Sequence, residues 1–166
     1  MKYSTKKITT LALSVSLALI FSFIESRIPA FVAIPGIKVG LANIAVIFTL
    51  YKLGIKEAIA VSLVRVFLVS ILFGSPVSLI YSISGATLSL LTMILLKKLT
   101  PLSEISISVS GAVMHNVGQI IAASFMLATN VVVYYLPFLI LSGVLAGIAV
   151  GVVSALLIKK VKINLK

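Results

Sequence analysis

The sequence predicts an all-α membrane protein: a six-transmembrane-helix bundle with both termini in the cytoplasm. Three observations predict it. Of its 166 residues, 61% are hydrophobic, against roughly 45–50% in soluble domains, and its mean hydropathy is +1.29. The apolar residues gather into runs that match, or nearly match, a hydrocarbon core about 30 Å thick. The lysines gather in every second connection, which the positive-inside rule assigns to the cytoplasm. No stretch is long enough for a separate soluble domain, so residues 1–166 read as one integral, multi-pass domain of the cell membrane.

The first span, 8–24, follows Lys2, Lys6 and Lys7. A cleaved signal peptide has a shorter apolar run and a small-x-small site; here Glu25-Ser26-Arg27 follows, so the span reads as a retained helix. It carries small residues at Ala12, Ser14, Ser16, Ala18 and Ser22. Such faces let helices approach closely, and both a partner protein and internal packing fit them. The first outer connection, from Glu25 to Lys38, is the longest and the only charged one, with Arg27, Pro29 and Pro35 inside it. It reads either as an ordinary loop or as a lid over an outward-facing site. It leads into a short second span, 39–53, whose 15 or so residues cover about 22 Å. A short span beside a Gly/Pro interruption (Pro35, Gly36, Gly40) points to a binding cavity.

Lys52 and Lys56 separate the second span from the third, 57–73, which holds Arg65 near its middle. The uncharged Gly74-Ser75 turn leads to the fourth span, 76–96. There Ser78, Ser82, Gly85, Ser89 and Thr92 recur every three or four residues, with Tyr81 beside them. Lys97 and Lys98 precede the fifth span, 105–127, where His115, Asn116 and Gln119 stand at i, i+1 and i+4. The uncharged turn at 128–130 precedes the sixth, 134–158, which Tyr134 and Tyr135 open and Gly143, Gly147 and Gly151 stripe. Lys159, Lys160, Lys162 and Lys166 close the chain.

Charge at membrane depth costs roughly 2.5–3.5 kcal/mol on insertion scales, so Arg65 and the single histidine, His115, mark a function by default. With Asn43, Asn116 and Gln119 they form a polar layer richer than helix packing requires. A guanidinium fork suits carboxylate or phosphate. With Arg27 and Lys38 at the rim, the layer suits an anionic or strongly polar small molecule. Tyr81, Tyr134 and Tyr135 would pack on its apolar part, or the last two would serve as an interfacial belt. The serine stripe also fits plain helix-to-helix bonding.

Other chemistries lack their residues. The sequence has no aspartate, and its carboxylates are Glu25, Glu57 and Glu104. It therefore has neither paired acids for hydrolysis nor the acidic cluster that holds Mg²⁺ in diphosphate chemistry. One histidine and no cysteine do not make a metal cage, and no phosphate-binding P-loop is present. No catalytic residue, metal or cofactor is expected. The net charge of +11 comes largely from lysines at span ends, not from a nucleic-acid-binding patch.

Three blocks carry a family resemblance: Pro35-Gly36-Ile37-Lys38-Val39-Gly40-Leu41-Ala42-Asn43-Ile44, then Arg65-Val66-Phe67 leading to Phe73-Gly74, then Gly111 to Gln119. Together they resemble the bacterial family called heptaprenyl diphosphate synthase component I, or Gx transporter, related to the substrate-binding S components of energy-coupling-factor transporters. The resemblance implies an S-component-like bundle with an outward-facing site under the first loop. It places Lys38, Asn43, Arg65, His115, Asn116 and Gln119 at that site. It also implies a first helix that docks, through Ala12, Ser14, Ser16, Ala18 and Ser22, on a transmembrane coupling subunit driven by two ATPases. Serines stand here where such components often carry alanines. The expected role is capture of a vitamin, quinone precursor or isoprenoid-related molecule for uptake. The alternatives are an accessory membrane subunit of heptaprenyl diphosphate synthesis and a structural bundle without ligand.

Overall fold

The structure is a computed structural model, described here for residues 5–27 and 40–161. It comprises α1 (Thr5–Arg27), α2 (Asn43–Lys52), α3 (Ile55–Phe73), α4 (Pro76–Leu99), α5 (Glu104–Leu127), a 3-10 turn (Val131–Tyr135) and α6 (Leu136–Lys160). No strand occurs among the described residues. Four segments are long and apolar enough to cross a membrane: α1, α4, α5 and the turn together with α6. α3 is nearly as long, at 19 residues, but carries Lys56, Glu57 and Arg65. α2 has only 10 residues, about 15 Å of helix.

The predicted second span is thus shorter than the sequence suggests. Gly40 adopts φ +73°, a left-handed conformation that an L side chain resists, and the helix begins only at Asn43. What remains is apolar nearly all round, which is the pattern of an enclosed helix. Ile44, Ala45, Val46, Ile47, Thr49 and Leu50 are all buried. Of these, Ile44, Val46, Ile47 and Leu50 join Ala58 and Val61 of α3, Leu90 and Met93 of α4, Ile107 of α5 and Val150 of α6 in one core. A helix too short to cross the bundle is tolerated because protein, not lipid, surrounds it.

At its C-terminal end α2 is capped from another helix. Lys97 Nζ donates to the Leu50 carbonyl at 2.6 Å and lies 4.4 Å from the centroid of the Tyr51 ring. The same end holds an ion pair between Lys7 of α1 and the buried Glu57 of α3.

α4, α5 and α6 pack closely, because small residues remove the side chains that would separate them. A Cβ at Gly147 would stand 2.6 Å from Val109 Cα, and one at Gly151 2.8 Å from Ile105 Cα. The glycine stripe of α6 is therefore spent on α5. Ser84 Oγ reaches across the other seam to the Gly118 carbonyl at 2.7 Å. Ser75 forms a capping box with Ser78, and Pro76 occupies the first turn of α4, where the missing N–H costs nothing.

Candidate functional site

α2 stops short of the neighbouring helices, and a cavity of about 200 Å³ opens beside its N-terminus. Asn43 from α2, Arg65 from α3, and His115, Asn116 and Gln119 from α5 all line it. The residues read from the sequence as a polar layer thus line one cavity. Helix geometry explains the convergence: α3 turns Arg65, Val66, Val69, Ser70 and Phe73 to the cavity, a single face at three- and four-residue spacing. From α5, Ser108, Gly111, Ala112, His115 and Gln119 follow the same rule. Gly85 makes room for the imidazole, since a Cβ there would stand 2.9 Å from His115 Nε2.

Arg65 is only 9% exposed. Its Nε has no hydrogen-bond partner, and neither do the buried hydroxyls of Ser89 and Ser108 on the same cavity wall. A buried polar atom left so costs roughly 1–3 kcal/mol, which a polar guest would recover. Asn116 is partly committed elsewhere. Its Nδ2 donates to the Leu139 carbonyl at 2.6 Å and ties α5 to α6.

Sequence reasoning missed Glu25, which it placed in the loop. Glu25 ends α1, lines the cavity, and accepts a hydrogen bond from the Gly40 N–H. Arg65 lines the same cavity, so the guanidinium shares this space with a carboxylate of its own chain. Ser22, Ser26, Ser70, Ser78 and Ser82 add hydroxyls to the wall. The serine stripe of α4 therefore serves the cavity as well as the helix seam. The signal for Glu25 was its rarity, as one of three carboxylates in the sequence.

Other expected members stand elsewhere. Tyr81 does not line the cavity, because it is one residue, about 100° of helix, away from Ser82 on the lining face. Tyr134 and Tyr135, 80% and 46% exposed, lie on the 3-10 turn before Pro137, and neither lines the cavity. Arg27 does not line the cavity; its guanidinium lies 5.1 Å from the centroid of the Phe23 ring, which packs on Phe73. Lys38 and the rest of 28–39 lie outside the described residues.

The small residues of α1 expected to dock a partner divide in two. Ser14, Ala18 and Ser22 are buried where α1 meets α2 and α3, so this chain itself covers them. Their four-residue spacing keeps them on one stripe, and that stripe turns inward. Ala12 and Ser16 remain exposed, together with Leu13, Leu17 and Ile20.

Residues 14–157 match the family described as heptaprenyl diphosphate synthase component I. The chain belongs to this family. The match reaches from the middle of α1 to near the end of α6 and includes every described cavity residue. No curated protein and no solved structure matches. The family's description names a component, which implies a second subunit, and links it to isoprenoid synthesis.

Proposed function

We propose that this chain is the substrate-binding membrane subunit of a transporter of the energy-coupling-factor type, capturing a small polar or anionic molecule for uptake. The observation that supports this best is the cavity itself. A buried guanidinium, an imidazole, three side-chain amides and a ring of serine hydroxyls converge on one space. Such a wall can recognise a ligand by many hydrogen bonds. It carries no carboxylate pair spaced for acid–base work. Arg65 would meet negative charge in competition with Glu25, and Asn43, His115 and Gln119 would fix orientation. Energy for transport would come from a coupling subunit and two ATPases, reached through the outward face of α1.

The family's description favours a second reading, in which the chain assists a prenyl diphosphate synthase. Prenyl transfer itself needs acidic Mg²⁺ ligands, and the sequence has no aspartate, so that role would be accessory.

Affinity purification from native membranes, followed by mass spectrometry of proteins and small molecules, separates the two. Recovery of ATPase and coupling subunits with a bound small molecule supports capture. Recovery of a soluble, aspartate-rich synthase supports the second reading. If Arg65→Ala combined with His115→Ala leaves both small-molecule content and uptake unchanged, the ligand site is wrong.

A further inference from the structure

We infer that the molecule captured by this cavity is an amphiphile, whose polar head meets Arg65 and whose hydrocarbon chain leaves sideways between α3 and α4 toward the membrane. The inference rests on the capture reading and adds a substrate class to it.

A second recess of about 220 Å³ lies between α3 and α4, walled by Ile59, Leu63, Ile83, Leu90 and Ile94, with Ser62 and Thr87 as its only polar side chains. Val66 lines both this groove and the polar cavity. It stands one residue after Arg65 and is 4% exposed. Val66 thus belongs to both a cationic, hydroxyl-rich chamber and an apolar groove.

Three further facts favour a shared occupant. The cavity, at about 200 Å³, is smaller than the roughly 300–1,000 Å³ pockets that enclose drug-sized ligands; it fits a head group. The α3–α4 seam is packed more sparsely than the α4–α5 and α5–α6 seams, so a chain there meets fewer side chains than along either of those. The groove also opens outward, since Leu63 and Leu91 on its rim are about half exposed. A hydrocarbon chain there exchanges membrane lipid for apolar protein at little cost, while its head gains the buried hydrogen bonds that lipid cannot supply.

Inorganic diphosphate and geranyl diphosphate offer one head without and with a chain, and the Arg65 fork suits that head. Their affinities are measured on the full chain in nanodiscs, for the wild type, Thr87→Phe and Ala86→Phe. Thr87 and Ala86 line the groove but not the cavity, and Thr87, being exposed, accepts a phenylalanine without disturbing the core. Geranyl diphosphate should bind at least ten-fold tighter than diphosphate to the wild type. Both variants should erase that gain and leave diphosphate binding unchanged. Equal affinities in the wild type, a gain that survives both variants, or no binding of either probe overturns the inference. Native mass spectrometry keeps the two readings apart: a bound molecule without a hydrocarbon chain leaves capture standing and overturns the amphiphile. Ordinary phospholipid carried equally by the wild type and Thr87→Phe also overturns it.

Discussion

Arg65 and Glu25 set the electrostatics of the cavity between them. The buried guanidinium shares the cavity with a carboxylate from another helix, so an incoming anion meets a charge of its own sign there as well as the cation. Glu25→Gln removes that like charge and keeps a side-chain oxygen for the Gly40 N–H. The variant is expected to bind inorganic diphosphate about three- to ten-fold tighter, roughly the 1 kcal/mol of one partly screened charge, as read by calorimetry. Unchanged affinity would mean that Glu25 does not compete. Arg65→Lys keeps the charge but loses the fork and is expected to weaken the same probe about ten-fold, since a hydrogen bond to a charged group is worth about 1.5–3 kcal/mol. Arg65 and His115 announced themselves in the sequence because polar residues are costly at membrane depth. Glu25 did not, because a carboxylate at the end of a span looks like any loop residue until the loop's two ends are brought together. Asn116 was legible as a polar core residue, but its bond to the Leu139 carbonyl depends on where α6 lies.

At the scale of elements, two small-residue stripes look alike in sequence and share a purpose. Gly143, Gly147 and Gly151 turn toward α5, and Ser14, Ala18 and Ser22 turn toward α2 and α3. Gly147→Leu must push Val109 backbone aside and is expected to lower stability by about 1–3 kcal/mol, seen as a fall in thermal unfolding temperature. Ser16→Leu, on the exposed side of α1, is expected to change stability by less than about 0.5 kcal/mol. If α1 docks on a coupling subunit through this side, the same variant loses that subunit on purification; retention of the subunit would remove Ser16 from the docking face. α2 needs its cap as well. Lys97→Met keeps the aliphatic stem and deletes the charged hydrogen bond to Leu50 and the contact with Tyr51. A loss of about 1.5–3 kcal/mol is expected, and a smaller loss would show the interaction to be solvated.

For the molecule as a whole, the lysine pattern implies that both termini share one side and that the turn after α5 lies on the other. The sequence has no cysteine, so a single introduced thiol is a unique reporter. With a membrane-impermeant maleimide on intact cells, Asn130→Cys is expected to label and Lys160→Cys to label only after permeabilisation. The reverse pattern would invert the topology.

Composition alone decided that this chain is a helical membrane protein. The spacing of lysines and apolar runs fixed where its helices begin and end to within a few residues, except at α2. These are properties of the chain against its solvent: lipid admits little beyond closed helices, and charge stays at the ends. Only the tertiary structure decided which faces meet. The rotation of each helix depends on whether a serine or glycine finds a neighbour close enough to pack on, and no single span contains that information. It turned Arg65, His115 and Gln119 into one cavity, added Glu25, left the tyrosines outside, and set Val66 on both a polar chamber and an apolar groove.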